Sequence, residues 1–379
     1  MRKGWSLAVL GDVAHIKQGK TLALKDMAGG EHPVYGANGV IGRHSAGHYG
    51  HPVVALGCRG SCGTVYLAPP GAWLANNVMA LWPRDPKLLD LRFLALALEK
   101  ADLFGTGVIS GQVQPQITRS SLEPLKIPLP PRNEQLRIVD LIEAVDAHER
   151  ASGAVSTQAS AARVALESEH FEGGGSEPLT NLIAFASGYP FPDRFQGNAS
   201  GAIPFFKVSD MNRSGNEVVM TQAANYVDAS TLRRMKARAW PEGTVVFPKV
   251  GAALLTEKRR LLGREAAFDN NVMGLVPNPR IRPRYLLSFL RTVRLGEFAQ
   301  QGAVPSINQK HLNELRLEVP PLPEQDEFCD LVESLENVAS TSGNLQVAVR
   351  QARARLLDDL LGGVGEIPLS YDRFLEVVS

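Results

Sequence analysis

Two long segments of the chain place apolar or small residues at intervals that alternate between four and three residues. In the first segment these positions are Leu141, Val145, His148, Ser152, Val155, Ala159, Ala162 and Leu166, and in the second they are Leu331, Leu335, Val338, Ser342, Leu345, Val349, Ala352 and Leu356. This spacing is typical of a coiled-coil face. Each segment therefore predicts a helix of roughly 35 residues, on the order of 50 Å long.

The two predicted helices have matching ends. A Pro-Pro pair precedes each of them, Glu134 or Glu324 follows in the first turn, where the helix dipole favours negative charge, and glycines follow the last turn. Because the apolar faces are equally long, we expect the helices to pack on each other rather than lie as two separate surface helices. The residues expected in this packing are Leu141, Val145, Val155, Leu166, Leu331, Leu335, Leu345 and Leu356.

The matching helices belong to a longer internal repeat. Residues 115–146 and 305–336 align without gaps at a constant offset of 190 residues, including Pro130-Pro131 with Pro320-Pro321 and Glu134-Gln135 with Glu324-Gln325. Upstream, 76–81 matches 270–275, 92–94 matches 284–286, and 10–19 loosely matches 179–188. The chain is therefore interpreted as two copies of one unit, each a compact domain followed by a long helix.

This repeat predicts five segments. A first compact domain covers 1–131 and a spacer helix 132–172, a second compact domain covers 173–321 and a second helix 322–363, and a tail covers 364–379. The fold class is α+β: two similar mixed α/β domains joined by two long antiparallel coiled-coil helices, related by a pseudo-two-fold axis, with the domains at opposite ends.

Composition excludes several classes of protein. With 379 residues, 44% of them hydrophobic and 21% charged, the chain has the profile of a globular protein of two to three domains. The sequence contains no uninterrupted apolar run of about 18 residues, so we expect no transmembrane helix. Residues 1–5 lack the apolar stretch of a signal peptide. The three cysteines, Cys58, Cys62 and Cys329, cannot form a disulfide framework. We expect a cytoplasmic protein.

The overall charge of +1 conceals a segregation of charge along the chain. Residues 1–131 hold 13 Lys and Arg against 8 Asp and Glu, and 171–321 hold 19 against 13, so the two domains carry +5 and +6. Residues 132–170 hold 4 against 7, and 322–379 hold 4 against 11, so the helical segments carry −3 and −7. Basic domains suit a phosphate backbone, and acidic helices suit contacts with protein.

Basic and amide side chains cluster in stretches that read as loops. Arginine, lysine and asparagine can contact base edges, and lysine also binds phosphate. The residues predicted to bind DNA are Lys17, Lys20, Asn38, Arg43 and Arg59 in the first copy and Lys207, Arg213, Lys249, Lys258, Arg259, Arg260 and Arg264 in the second. The alternative interpretation of each is an exposed solubilising residue.

Catalytic and metal patterns are incomplete. The Gly19-Lys20-Thr21 sequence resembles the end of a phosphate-binding loop, but Ala14 stands where the first glycine is required. The glycines at 173–175 have the spacing of an S-adenosylmethionine-binding loop, but they follow a predicted helix rather than a strand. They are therefore interpreted as a linker. Cys58 and Cys62 are too loosely spaced with His48 and His51 for a zinc site. The sequence predicts no catalytic residues and no bound metal.

These features together resemble the specificity (S) subunit of type I restriction-modification systems. The resemblance covers essentially the whole chain and is carried by LGDVAHIKQGK, PVYGANGVIG, QITRSSLEPLKIPLPPRNEQLRIVDLI and INQKHLNELRLEVPPLPEQDEFCDLVESL. The repeated Pro-Pro-x-x-Glu-Gln block is its specific part. The second copy has Phe206-Lys207-Val208 in place of the Tyr-Gly-Ala-Asn-Gly phrase, so the two domains are expected to recognise different sequences.

The resemblance implies a non-catalytic subunit of a phage-defence complex. Each target-recognition domain would read one half of a bipartite site in double-stranded DNA, with the helices as a ruler of up to about 15 base pairs. Partners implied are two methyltransferase (modification) subunits, which methylate adenine N6, and restriction or translocase subunits. This chain would bind no cofactor, while its partners would use S-adenosylmethionine, ATP and Mg²⁺.

Two other functions remain open from the sequence. One is the DNA-reading subunit of a related restriction system whose partner fuses methylase and nuclease. The other is a duplicated scaffold that binds protein through both domains. The basic charge of both domains argues against the scaffold. A salt-dependent affinity for DNA would distinguish a DNA-binding subunit from a protein-binding scaffold.

Overall fold

The computed structural model describes residues 4–27, 29–111, 114–299, 305–368 and 371. They divide into two compact units. The first unit comprises Met1–Gly153 together with Asn344–Ser379, and the second comprises Ala154–Gly343. Each unit contains one recognition domain and half of each long helix.

In the first unit, most elements are short strands. The strands are β1 (Ser6–Val9), β2 (Ala14–Gln18), β3 (His32–Gly36), β4 (Gly39–His44), β5 (Val53–Gly57), β6 (Val65–Ala68), β7 (Trp73–Leu74), β8 (Val78–Pro83), β9 (Ile109–Ser110), β10 (Gln116–Ile117) and β11 (Lys126–Leu129). The helices are α1 (Leu10–Val13), α2 (Leu91–Lys100), α3 (Arg119–Leu122) and the beginning of α4 (Arg132–His170), with a 3-10 turn at Leu24–Asp26.

The central sheet of this unit has the order β2-β8-β5-β6, with antiparallel neighbours. Strand β5 is buried at all five positions because both faces of the sheet are covered. Val54 and Leu56 face the core that contains α2, whereas Val53 and Ala55 face a second core. This alternation follows from the two-residue period of a strand. The smaller sheet β4-β3-β7 and the pair β1-β11 complete the domain.

The second unit has a similar set of elements. Its strands are β12 (Glu177–Pro178), β13 (Ile183–Ser187), β14 (Ile203–Phe206), β15 (Val219–Met220), β16 (Tyr226–Val227), β17 (Val245–Pro248), β18 (Arg260–Leu262), β19 (Ala267–Phe268), β20 (Val272–Pro277) and β21 (Arg316–Leu317). Its helices are α5 (Ala229–Arg234), α6 (Pro283–Thr292), α7 (Gln309–Leu312) and the beginning of α8 (Leu322–Leu361). Its 3-10 turns are Leu179–Asn181, Asp193–Phe195, Val208–Asn212, Leu254–Thr256 and Leu295–Phe298.

Strand pairing confirms the duplication seen in the sequence. The sheet β13-β20-β17-β18-β15 repeats β2-β8-β5-β6 with one added strand, and β16-β14-β19 repeats β4-β3-β7. In both small sheets, the middle strand pairs antiparallel on one side and parallel on the other. The pair β12-β21 repeats β1-β11. The α+β class and the two similar domains are therefore as predicted.

The glutamine of each Pro-Pro-x-x-Glu-Gln block connects a recognition domain to its long helix. Gln135 is fully buried, and its Oε1 accepts a hydrogen bond from the backbone N–H of Asp90 at 2.8 Å. Its Nε2 donates to the carbonyls of Leu88 and Pro130, both at 2.9 Å. The side-chain amide thus satisfies one donor and one acceptor just before α2 and one acceptor just before α4.

Gln325 makes the same three bonds in the second unit. It accepts from the backbone N–H of Arg282 at 2.8 Å and donates to the carbonyls of Arg280 and Pro320 at 3.0 and 2.8 Å. It is also fully buried. The repeated motif is therefore explained by structure, since glutamine alone supplies these donors and this acceptor at that reach.

Within each unit, the halves of α4 and α8 run antiparallel. In the first unit, Arg350 binds Glu149 at 2.7 Å, and Arg353, three residues later, binds Asp146, three residues earlier. In the second unit, the Ser156 hydroxyl donates to the Ala339 carbonyl at 2.7 Å. The predicted helix ranges 132–172 and 322–363 each extend two residues past the helices observed.

The register of the predicted helix packing is partly wrong. Val155, Leu331 and Leu345 are 43%, 50% and 43% exposed, so they lie outside the packed face. Leu141, Val145, Leu166, Leu335 and Leu356 are half-buried. The row of residues that faces the other helix keeps every second predicted position. At the remaining positions it contains the residue one place later in the sequence. These later residues are Ile142, Glu149, Ser156 and Arg163 in α4, and Val332, Ala339, Gln346 and Arg353 in α8.

The reason for the error is that several inward positions are polar. Arg353 and Ser156 lie in the packed row because the facing helix supplies their ion-pair or hydrogen-bond partners. A hydropathy pattern cannot identify buried polar positions of this kind. It instead selected neighbouring apolar residues that face away from the partner helix.

The described part of the predicted tail contacts the start of α4. The Arg137 guanidinium donates to the carbonyls of Ile367 and Pro368 at 3.1 and 3.0 Å. Ile367 also packs against the apolar core of the first unit. The rest of the tail, apart from Tyr371, lies outside the described residues.

Candidate nucleic-acid interface

The five residues of the first unit that were predicted to bind DNA are all exposed. Asn38 lies in the tight turn between β3 and β4, and this turn packs beside Gly57 at the end of β5. Arg59 follows the same strand, so the fold brings Asn38 and Arg59 to one end of the sheet. Arg43 is held elsewhere, because its guanidinium donates to the carbonyls of Gly30 and Glu31.

Lys17 and Lys20 lie near a group of stacked rings around His48. The His48 ring stacks on Trp73 with centroids 4.3 Å apart, and Trp73 also contacts His44. Burial, and secondarily the charges of Lys20 and Lys17, lower the pKa of His48. Both ring nitrogens of His48 are buried and have no hydrogen-bond partner among the described residues. The two lysines therefore lie beside a surface of aromatic rings, and they do not form a catalytic pair with His48.

The lowered pKa of His48 predicts a pH-dependent stability of the first unit. Above pH 6.5, His48 is neutral in both the folded and the unfolded chain, and its contribution to stability is fully present. As the pH falls below 6.5, the unfolded chain takes up a proton that the folded chain takes up only at its lower pKa, so stability is lost across that window. We expect a lower melting temperature at pH 5.5 than at pH 7.5.

The control compares two histidines of the same ring group. His48→Phe keeps the stacking on Trp73 and loses no hydrogen bond in the described structure, so it should reduce the difference in melting temperature between the two pH values. His51→Phe, at an exposed position, should leave that difference close to wild type. An unchanged pH dependence in His48→Phe would contradict the assignment to His48.

In the second unit, several predicted residues gather around the 3-10 turn Val208–Asn212. Lys207 precedes this turn and its ammonium donates to the side-chain amide oxygen of Gln196 at 2.6 Å, and Lys258 donates to the Asn212 side chain. Arg213 is exposed at the end of the turn, 3.8 Å from Asp210. Arg264 is exposed but lies away from this turn, and its guanidinium donates a hydrogen bond to the Ala202 carbonyl. The turn thus presents Lys207, Arg213 and Lys258 together.

The burial of Arg259 speaks against the prediction that it binds DNA, whereas the same prediction for the half-buried Arg260 stays a prediction. Arg259 is 4% exposed, and its guanidinium binds Glu257 and the Val293 carbonyl. Arg260 is half-buried and donates to the carbonyls of Arg259 and Met211. Burial lowers the pKa of both groups. Arg259 and Arg260 line one cavity together with Arg291 and Glu257, so this part of the basic run lies inside the domain.

Two surface clefts lie at the ends of the equivalent strands β5 and β17. The first cleft is about 650 Å³ and is lined by Arg59, Gly60, Gln114, Pro115 and Gln116. The second cleft is about 260 Å³ and is lined by Ala186, Ser187, Lys249, Val250, Met273, Ser306, Ile307, Asn308 and Gln309. Of the predicted residues, Arg59 lies in the first cleft and Lys249 in the second.

The uncharged polar residues of both clefts were missed by sequence reasoning. Gln114 and Gln116 carry no charge cluster around them, and the same holds for Ser306 and Gln309. A signal was nevertheless present, because the gap-free repeat begins at Pro115 and Pro305, which border these clefts.

Other candidate chemistry can be examined in the described residues. Among them, no group of three or more His, Cys, Asp or Glu side chains could hold a metal ion. Cys58, Cys62 and Cys329 are unpaired thiols there, and burial raises the pKa of each. No helix in this part of the chain is long and apolar enough to cross a membrane.

Comparison with known proteins gives a consistent result. A putative type I restriction enzyme specificity subunit of Haemophilus influenzae is 21% identical over 351 residues, which are 86% of each chain. The crystal structure of the S subunit of a type I restriction-modification system from M. genitalium superposes with a TM-score of 0.65 at 17% identity, covering 96% of this chain and 97% of that one.

A second solved structure, from work on complex assembly and conformational transition of the type I restriction-modification system, has a TM-score of 0.59 at 14% identity and covers 96% of this chain and 99% of that one. These structural matches show a shared fold. The family model described as the type I restriction modification DNA specificity domain matches twice, at residues 2–152 and 182–349. Since these matches cover most of its length, the chain belongs to the family of type I restriction-modification DNA specificity proteins.

Proposed function

We propose that this protein reads a bipartite double-stranded DNA target and directs modification and restriction subunits to it. The observation that carries the proposal is the double occurrence of the DNA specificity domain, once in each compact unit. Two similar domains with different loops suit a target with two different halves. In this role the chain is a non-catalytic specificity subunit.

The charge and shape of the two domains support DNA as the ligand. Each domain carries a net positive charge, and each has a cleft with an Arg or Lys beside amide or hydroxyl groups. Such side chains supply both the phosphate contacts that give affinity and the base contacts that give specificity. DNA as the ligand also favours action in the cytoplasm, the location that we propose.

The long helices support contacts with partner proteins. Their segments are acidic, and α8 exposes Leu331, Val338, Leu345 and Val347, while α4 exposes Val155 and Val164. Apolar residues that a helix exposes between charged ones are typical of a protein interface. We propose that two methyltransferase subunits bind there and methylate adenine N6, joined by restriction or translocase subunits. S-adenosylmethionine, ATP and Mg²⁺ would then belong to those partners.

The experiment that tests this function is a single-molecule methylome of the source strain with and without the gene. We expect one bipartite N6-methyladenine motif to disappear from the deletion strain and to return on complementation. Both half-sites and the spacing between them would be obtained in the same measurement.

A binding measurement separates this function from a protein-binding scaffold. The chain copurified with its modification subunits should bind DNA with an affinity that falls steeply as salt increases, because bound lysines and arginines release counterions. An unchanged methylome together with no salt-dependent DNA binding would overturn the proposed function.

A further inference from the structure

The two clefts are formed by the same backbone connections. In the first, the Cys58 N–H donates to the Asn77 carbonyl, and the Cys58 carbonyl accepts from the Ile117 N–H, both at 2.9 Å. In the second, Lys249 makes these bonds with Asn271 and Ile307, again at 2.9 Å. Isolated bridges join Arg59 to Gln116 and Val250 to Ser306. Each cleft therefore occupies the same position in its domain.

The side chains on this shared frame differ between the two copies. The first cleft presents the guanidinium of Arg59 and the amides of Gln114 and Gln116. The second presents the ammonium of Lys249 with the amide of Gln309 and the hydroxyl of Ser306. On these connections Lys249 takes the place of Cys58 and Val250 that of Arg59, so the charged residue lies one position apart in the two clefts. Matching backbone connections with different donors and acceptors are the arrangement expected where two related domains recognise different ligands of one chemical class.

The charged groups of the clefts differ from several of the other predicted DNA-binding residues, although Lys17 and Lys20 are equally unengaged in the described residues. In the described part of the chain, neither Arg59 nor Lys249 has a side-chain hydrogen bond or ion pair. By contrast, Arg43 is engaged by carbonyl groups and Lys258 by Asn212. Arg59 and Lys249 thus keep their donors for a ligand, while the buried strands β5 and β17 hold their backbone in place.

We propose that these clefts are the base-reading sites of the two domains, with Arg59 and Gln116 reading one half-site and Lys249 and Gln309 reading the other. The inference rests on the proposed function and adds the residues that determine specificity. Arginine and lysine recognise guanine O6 and N7, and glutamine recognises adenine N6 and N7. The ligand of each cleft is therefore the edge of a purine in the major groove.

Base reading and phosphate binding have different consequences for a variant. Loss of a base contact relaxes sequence preference at one position and leaves the salt dependence nearly unchanged. Loss of a phosphate contact weakens binding to all sequences alike and reduces the salt slope by about one. Sequence preference and salt slope, measured together, therefore identify the role of each side chain.

The test uses the chain copurified with its modification subunits and a library of randomised DNA. Arg59→Ala is expected to reduce discrimination at one position of one half-site about tenfold or more, and Lys249→Ala to do so only in the other half-site. Gln116→Ala should relax a position next to that of Arg59. The charge-matched controls Lys126→Ala and Arg233→Ala, both at exposed positions, should keep the preference of the wild type.

Three results would overturn the inference alone, and a fourth would overturn the proposed function as well. Uniform weakening with a lower salt slope would make Arg59 or Lys249 a phosphate contact, and relaxation of the same half-site by both variants would exclude one cleft for each half. Wild-type preference in both variants, with unchanged melting temperatures, would remove the clefts from recognition while leaving the proposed function intact. A wild-type complex without any sequence preference would instead overturn the proposed function and this inference with it.

Discussion

Gln135→Leu is expected to destabilise the first unit by about 4 kcal/mol. The leucine removes the partner of the buried Asp90 N–H and one partner each of the Leu88 and Pro130 carbonyls, and each unsatisfied buried group costs about 1–3 kcal/mol. Hydrogen exchange measured by mass spectrometry should show the loss locally, as faster exchange of the α2 amides. Gln325→Leu should produce the same change in α6, because Gln325 makes the equivalent bonds.

A glutamine on the surface of the same helix provides the control. Gln158 lies in α4 and is exposed, so Gln158→Leu should change the free energy of unfolding by less than about 0.5 kcal/mol. The effects of Gln135→Leu and Gln325→Leu should be independent, since the two side chains share no partner. Wild-type exchange rates in α2 of the Gln135→Leu variant would contradict the connecting role assigned to this glutamine.

Glu167→Gln is expected to destabilise the second unit by about 3 kcal/mol. Glu167 is 2% exposed and lies between Arg163 of α4 and Arg291 of α6, and it receives the Arg291 guanidinium at 3.1 Å. Arg291 also binds Glu336 of α8 at 2.6 Å. Removing one charge from a buried ion-pair network leaves the others uncompensated, at a cost of about 3–5 kcal/mol.

The matched variant is Glu169→Gln, two residues later on the same helix and exposed. It should change the midpoint of denaturant unfolding very little, whereas Glu167→Gln should lower it clearly and speed hydrogen exchange at the end of α6. Equal midpoints for the two variants would mean that the buried network contributes no net stability.

The first unit has a related network at the equivalent place, with the charges rearranged. Arg353 of α8 binds Glu99 of α2 and Asp146 of α4. The repeat aligns Glu99 with Arg291, so α6 carries a positive charge where α2 carries a negative one. Glu167, which aligns with the apolar Leu357, supplies the compensating charge in the second unit. In both copies, the same position of the short helix thus forms an ion pair with the long helices, but the charge at this position is negative in α2 and positive in α6.

The duplication, the two long helices and the class of function could all be predicted from the sequence. These features are local or repetitive: heptad spacing, Pro-Pro pairs that end strands, and a gap-free offset of 190 residues are all readable without knowing which distant residues touch. The buried role of Gln135 and Gln325 was not readable, because their partners at Asp90 and Arg282 lie 45 and 43 residues away.

Which of two neighbouring residues faces inward and which faces solvent depends on tertiary contacts that the sequence does not show. The tertiary structure placed Ser156 and Arg353 in the helix packing in place of Val155 and Ala352, because polar side chains can be buried where the opposite helix satisfies them. It also buried Arg259 while leaving Arg59 in a cleft. Charge and hydropathy along a chain describe what a side chain can do, but long-range packing determines what it contacts.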